Sequence, residues 1–516
     1  MITIHEFDRQ IFGEDFSATN SAPVEYLWTY LHELGARTCL REAEYVDRHY
    51  LSDFSVYYSR SFRTPSPKCR RIHYFSLEKS QLNTLIEQMY GIEDEKREAE
   101  KLLGETYLGF VVRRPIRGAA IGRTVLRTYP EDGGNGRRRL FTAARTYHVH
   151  IGGLRLSIDG LAFQQQDVGA AVCASTSLWC ALQKVAVLSG ARTPTPNQIT
   201  TASQSPFPVS FGLDVTQMAM ALSNLGYTAD SFSPDHDFAN FRAKVGVCLQ
   251  SQLPVILILR GAKSGHTVTV TGYSAPSSPD VVAPMRGEPG ILMRAGAIST
   301  LYVHDDNLGP HAHYELLSEP PEEFEDECYS FCDSPESQCW LLRGIAAGAH
   351  GANIGWDVDC LQVEAAIVPK PSKIRMPVND LIEAAWSFRH LLEAVFEEAT
   401  LVYECRFSTG VEYRKSLLRM GFSRVHLRDF DFALLLPRHV AIVSVFLEQS
   451  VERGSHLCDL LIDATAVDLC PSEESLLAIV APGVPSGSVA WERIHSICVE
   501  YEIQMLSASP GAHADA

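Results

Sequence analysis

The sequence has no long hydrophobic run. No window approaches about eighteen uninterrupted apolar residues, so no membrane span is expected. Its first residues, Met1-Ile2-Thr3-Ile4-His5-Glu6-Phe7-Asp8, lack a basic region followed by an apolar core, so a secretory signal is not expected. Positive charge is scarce: 45 Lys and Arg stand against 62 Asp and Glu, a net charge of −17. That balance argues against a nucleic-acid partner. The local basic clusters, Arg113, Arg114, Arg117, Arg123 and Arg127 and then Arg137-Arg138-Arg139, read as a solvated face and a loop. A cysteine pattern is also missing. The 13 cysteines are odd in number and follow no repeated spacing, which points away from a disulfide framework and towards reduced thiols in a cytoplasmic setting. Cys328, Cys332 and Cys339 match no common zinc-finger spacing. There is no internal repeat and no long low-complexity segment.

At 516 residues the chain is too long for one ordinary core, and about two or three domains are expected. Residues 1–145 mix helix and strand signals. Leu82 to Leu103 reads as one charged amphipathic helix, and Tyr107-Leu108-Gly109-Phe110-Val111-Val112 as a strand. Residues 146–368 begin with strands around Thr146–His150 and Leu154–Phe163. Pro369-Lys370-Pro371-Ser372-Lys373 reads as a linker. Beyond it, residues 374–516 read as a separate α/β or α+β domain. A helix runs from Leu381 to Ala399, and strands cover His439–Leu447, Cys458–Thr465 and Leu476–Pro482. The tail Ser507–Ala516 is small and polar and is expected to be disordered.

The most informative stretch is Gln164-Gln165-Gln166-Asp167-Val168-Gly169-Ala170-Ala171-Val172-Cys173. After it, Leu178, Ala181, Leu182, Val185 and Val187 give an apolar stripe, which predicts a helix starting at Cys173. A thiol in a first helical turn faces unpaired backbone N–H groups and the positive end of the helix dipole. Both favour the nucleophilic thiolate. Further on, Gly265-His266-Thr267-Val268-Thr269-Val270 reads as a strand opening on a histidine, after the buried-looking strand Pro254–Leu259. Leu301-Tyr302-Val303-His304-Asp305-Asp306-Asn307-Leu308-Gly309-Pro310 reads as a strand ending on acids before a Gly-Pro turn. Between Cys and His, Asp214 and Gln217 form a capping-box pair ahead of the apolar face Val215, Met218, Ala219, Leu222 and Leu225, and Gly226 stops that helix.

This order and these contexts resemble the papain-like cysteine peptidases, most closely their C39-like branch, over roughly residues 150–320. The sequence differs from the family in carrying Ala174 where Gly is usual and Asp306 where Pro is usual. Gln166 also stands one residue farther from the cysteine than is common. The resemblance implies an α+β fold: a papain-like core whose Cys-bearing helix packs on an antiparallel sheet carrying His and Asp. An N-terminal α/β extension and a separate C-terminal α/β domain would flank it. It implies amide or isopeptide cleavage of a protein or peptide substrate, without a cofactor. Cys173 would be the nucleophile and His266 the general base, with Asp305 orienting it and Gln166 donating to the oxyanion. Gln164 or Gln165 could replace Gln166, and Asp306 could replace Asp305. Cys180, seven residues on along the same helical face, is expected to be core. Transglutaminase- or deamidase-type chemistry shares the same acyl-enzyme, and an inactive binding module is the other alternative. The cluster His304, Asp305, Asp306, His311 and His313 offers a competing metal-ligand set.

Overall fold

A computed structural model describes residues 2–16, 22–134, 136–167, 173–205, 212–234, 237–261, 265–276, 283–285, 291–331, 339–343, 359–397, 399–425, 427–428, 435–448, 456–466 and 475–507. The fold is mixed α+β. Five antiparallel strands open the chain in the order of the sequence: β1 (Ile2–Glu6), β2 (Thr38–Tyr45), β3 (Cys69–Phe75), β4 (Tyr107–Arg113) and β5 (Ile121–Leu126). Residues of β4 divide between two apolar clusters, Leu108 and Val111 in one and Tyr107, Phe110 and Val112 in the other. The sheet is therefore buried on both faces, which explains why β4 reads as a continuous apolar run rather than an alternation.

The amphipathic segment expected at Leu82–Leu103 is two helices, Lys79–Gln88 and Glu93–Thr106. The apolar period continues through both, with Leu82, Leu85, Ala99 and Leu103 buried, but the chain breaks at Tyr90-Gly91, where glycine lowers the cost of leaving the helix. Leu381–Ala399 is likewise two helices, Val378–Ser387 and Arg389–Val395. Arg117 and Arg138 are exposed as expected, but the other arginines of the basic clusters are buried or half-buried. Arg114 is 2% exposed, and its guanidinium donates to the carbonyls of Ala119 and Gln165. Arg123 pairs with Asp47 at 2.9 Å, and Arg137 donates to Ser274 and Ser299.

Strand β6 (Arg137–Leu140) precedes the hairpin of β7 (Arg145–Ile151) and β8 (Leu154–Gly160). In the hairpin, Leu154, Leu156 and Ile158 face inward and Arg155, Ser157 and Asp159 outward, a clean period of two. The helix Cys173–Ser189 follows, then helices Pro196–Ala202 and Val215–Asn224. Asp214 accepts from the Gln217 N–H at 2.8 Å and Gln217 returns the bond to the Asp214 N–H at 3.0 Å, closing the capping box. Strand β9 (Tyr227–Phe232) and helix Phe238–Gln250 lead into the central sheet.

That sheet is built from β10 (Val255–Arg260), β11 (Gly265–Pro276), β14 (Thr300–Asp305), β15 (Gly309–Leu317), β16 (Trp340–Arg343) and β17 (Asp359–Pro371), with β12 (Ala283–Met285) and β13 (Ile291–Met293) between β11 and β14 in sequence. The six are antiparallel neighbours in chain order, and β17 pairs back onto β10, closing a barrel. Closure removes the free strand edges that an open sheet of this width exposes. The registers Val255↔Val270, Leu257↔Val268, Val270↔Val303 and Val303↔Ala312 put one set of apolar residues on the inner face. The expected linker at 369–373 is instead largely the end of β17, where Pro369, Lys370 and Pro371 pair with β9. The prolines cost ladder donors only at the strand terminus, and buried Lys370 pairs with Asp230 at 2.7 Å. The third large sheet runs β12-β13-β18 (Leu401–Thr409)-β19 (His439–Leu447)-β20 (His456–Asp463)-β21 (Leu476–Ala481)-β22 (Gln504–Ser507). Its first two strands come from the middle of the chain, and one apolar cluster joins residues from Phe12 to Cys498. Among the described residues, no helix is long and apolar enough to cross a membrane. The expected tail from 508 onward, Cys332, Val168–Val172, and His426, Asp429 and Asp431, which read as surface-turn residues without a catalytic pattern, lie outside the described residues.

Candidate active site

Cys173 is the first residue of its helix, and it is half-buried at the head of a run from Ala174 to Ala186 that is fully buried. Among the eleven described cysteines it is the only one not buried. Burial pushes the thiols of Cys39 and Cys69 up to about 12, and that of Cys180 higher still. Accessibility thus singles out Cys173 as the described cysteine a solute can reach.

The helix is tied to β11 one turn below the thiol. Ser177 Oγ donates to the Thr267 carbonyl at 3.0 Å, and Thr269 Oγ1 donates to the Ser177 carbonyl at 2.9 Å. These bonds set the height of Cys173 against His266, which precedes Thr267 on the strand. The Cys173 side chain lies close enough to His266 to help raise its imidazole, and His266 Nε2 lies 2.8 Å from Asp305 Oδ1. With Nε2 on Asp305, the nitrogen left for the thiol is Nδ1.

Asp305 closes β14 and is fully buried. Oδ1 also accepts the Asn307 backbone N–H at 2.9 Å, and Oδ2 accepts the Tyr314 hydroxyl. The turn that presents it is closed by the Leu308 N–H on the Asp305 carbonyl at 3.0 Å. Gly309 must follow, because a Cβ there would meet Tyr26 Cδ1 at 2.1 Å. The N-terminal helix Ala22–Glu33 thereby packs directly beneath the acid-bearing turn.

Asp306 is also buried. One carboxylate oxygen lies 3.6 Å from His266 Nε2, and neither oxygen has a hydrogen bond of normal geometry among the described residues. Burial, reinforced by the Asp305 charge and opposed by His266, pushes its carboxyl up to about 7. For His266, burial alone would lower the imidazole. The charge and hydrogen bond of Asp305, then Cys173 and Asp306, outweigh it and hold the ring well above its ordinary value.

The three glutamines separate clearly. Gln165 is spent on the 118–121 loop, donating to the Gly118 carbonyl at 3.1 Å and accepting the Ile121 N–H at 3.4 Å. Gln164 is buried, and its Nε2 has no partner among the described residues. Gln166 reaches the dyad through Asn307, donating from Nε2 to Asn307 Oδ1 at 3.2 Å. Asn307 Nδ2 in turn lies 3.4 Å from His266 Nδ1. Beside them opens a cleft of about 280 Å³ walled by Gln166, Asp306, Asn307, Ile116 and Ala119.

The five-residue metal-ligand cluster does not converge. His304 Nε2 donates to the Leu161 carbonyl at 3.0 Å, and its Nδ1 accepts the His311 N–H at 3.1 Å. His311 Nδ1 bonds Thr271 Oγ1 at 2.9 Å. Burial pushes His304 down to about 3 and His311 well below its ordinary value, so both are neutral. Strand alternation turns His304 away from Asp305. Among the described residues, His266, Asp305 and Asp306 are the one group of three that brings ligand atoms within 4.8 Å of one another. Asp305 already accepts three hydrogen bonds, so this trio suits orientation of an imidazole better than a metal.

Sequence reasoning missed Ser177, Thr267 and Thr269, although the Ser175-Thr176-Ser177 run facing a Thr-x-Thr-x-Thr strand carried a signal. It also missed Tyr314 and Asn307, which no motif marks. No family model matches the chain, and no curated protein is similar enough to count as a relative.

Proposed function

We propose that the protein is a cysteine peptidase, or a closely related thiol acyl-transfer hydrolase, with a papain-like unit of the C39-like branch within residues 146–368. The regions 1–145 and 374–516 flank that unit. The single observation that carries the proposal is the accessible thiol of Cys173 beside His266, whose Nε2 sits 2.8 Å from buried Asp305. His266 takes the Cys173 proton at Nδ1. The thiolate attacks an amide carbonyl, and the oxyanion is met by Gln166 Nε2 and the Cys173 backbone N–H. Nδ1–H then protonates the leaving amine, and water resolves the thioester. Asp305 holds the tautomer and stabilises the imidazolium. No step calls for a cofactor. The substrate is a protein or peptide, and the free thiols suit a reducing, cytoplasmic setting.

The test is a peptide-library digest read by mass spectrometry. Cleavage by the wild type and none by Cys173→Ala supports the proposal, with Cys180→Ala retaining most activity. Release of ammonia or amine exchange without backbone cleavage assigns the site to the deamidase or transglutaminase alternative. No turnover of any kind, with Cys173 unreactive, assigns it to an inactive binding module.

A further inference from the structure

Asn307 is held oddly for an exposed turn residue. Its backbone is pinned by the N–H bond to Asp305 Oδ1 at 2.9 Å, yet its side chain is exposed and carries both remaining contacts at the dyad. Oδ1 accepts from Gln166 Nε2 at 3.2 Å, and Nδ2 stands 3.4 Å from His266 Nδ1. Acyl transfer at Cys173 asks for the same two partners in the same order: an N–H of Gln166 on a carbonyl oxygen, and Nδ1 opposite an amide nitrogen. A carboxamide is the group that offers both atoms at once.

We propose that the Asn307 side chain occupies the place of the substrate amide in the free protein, and that a substrate enters by displacing it. This rests on the catalytic assignment of Cys173, His266 and Gln166. Both contacts are long for hydrogen bonds, so they exchange readily for a better-placed carbonyl. The contact at Nδ1 also has a chemical consequence. An Asn307 N–H can donate there only while Nδ1 carries no proton. It therefore competes with the Cys173 thiol and opposes the pull of Asp305 towards the thiolate–imidazolium pair. A substrate that draws Gln166 away frees Asn307, and Nδ1 becomes available to the thiol. Asn307 is thus a positioning residue that couples occupancy of the oxyanion donor to activation of the nucleophile.

The experiment alkylates the full-length protein with iodoacetamide between pH 5 and pH 8 and quantifies the Cys173 adduct by mass spectrometry. Asn307→Ala removes the occupant, and Gln166→Ala removes its anchor. Both are expected to alkylate about five-fold faster than wild type at pH 6, the weight of roughly one hydrogen bond. Both should also shift the acid limb of the rate profile to lower pH. Gln166→Ala discriminates most sharply, because alkylation builds no oxyanion. If Gln166 serves only as an oxyanion donor, the rate is unchanged, and a disturbed fold slows it. Preferential labelling of Cys173 at equal rates in all three proteins overturns the inference and leaves the catalytic assignment standing. Failure of wild-type Cys173 to label ahead of the other thiols overturns both.

Discussion

Replacing Asp305 with asparagine isolates the acid's charge from its shape. In the structure Oδ1 accepts from His266 Nε2 and the Asn307 N–H, and Oδ2 accepts from Tyr314. The substituted carboxamide keeps an acceptor oxygen for the first two, and the Tyr314 hydroxyl can rotate to accept from the new amide, so the turn survives. What disappears is a fully buried negative charge 2.8 Å from Nε2. A hydrogen bond to a charged group is worth about 1.5–3 kcal/mol. We therefore expect Asp305→Asn to lower kcat/KM by about 10- to 150-fold on a cleaved peptide. The sign of the pH effect follows from the raised His266. Without the Asp305 charge the opposing effect of burial prevails, the imidazolium loses its proton at lower pH, and the alkaline limb of the profile moves down. Asp306, with an oxygen 3.6 Å from the same nitrogen, leaves a residual activity that Asp305→Asn/Asp306→Asn should remove. Full activity in Asp305→Asn together with loss in Asp306→Asn would refute the assignment and move the role one residue on.

Ser177→Ala removes one of the two ties between the Cys173 helix and β11, the hydroxyl bonds to Thr267, and leaves the Thr269 bond to the Ser177 carbonyl. We expect a stability loss of about 1–3 kcal/mol by denaturant unfolding and a fall in activity larger than that of Cys180→Ala; equal activity in the two variants contradicts the tie. Asp53 is buried and accepts the Asn197 N–H at 3.1 Å, and burial pushes its carboxyl up to about 8. A carboxyl raised on folding adds stability at low pH that is lost as pH climbs from about 4 through about 8. Asp53→Asn, which keeps the acceptor, should therefore raise the melting temperature at pH 8 and change it little at pH 4. Gly309→Ala should destabilise the protein and its candidate active site together, because the added methyl meets Tyr26; a wild-type melting temperature would show that the two elements separate freely.

The parts of the fold that local chemistry dictates were legible. The Cys173 helix follows from its apolar stripe, although Val187 is exposed rather than part of it. The capping box at Asp214 and Gln217 and the alternation of Leu154, Leu156 and Ile158 also write their structure directly into the sequence. Closure of the barrel was not legible. It depends on pairing Leu257 with Ala366, two residues far apart in the chain whose buried strands look alike in composition. Lys370 shows the same limit: between two prolines it reads as linker, and only Asp230 on β9 explains its burial. At the site, residue order was enough to single out Cys173, His266 and Asp305 as candidates. It said nothing of Asn307, because an asparagine in a turn is ordinary chemistry until its side chain is seen against Gln166 and His266.

The central claim is that Cys173 and His266 form one activated nucleophile. Its most direct test is a peptidyl vinyl sulfone, which adds to a thiolate activated by a neighbouring imidazole, followed by intact-mass analysis and peptide mapping. The account predicts a single adduct per chain, on Cys173, absent in Cys173→Ala and formed far more slowly in His266→Ala. Labelling spread over several cysteines, or Cys173 labelling at an undiminished rate in His266→Ala, would contradict it.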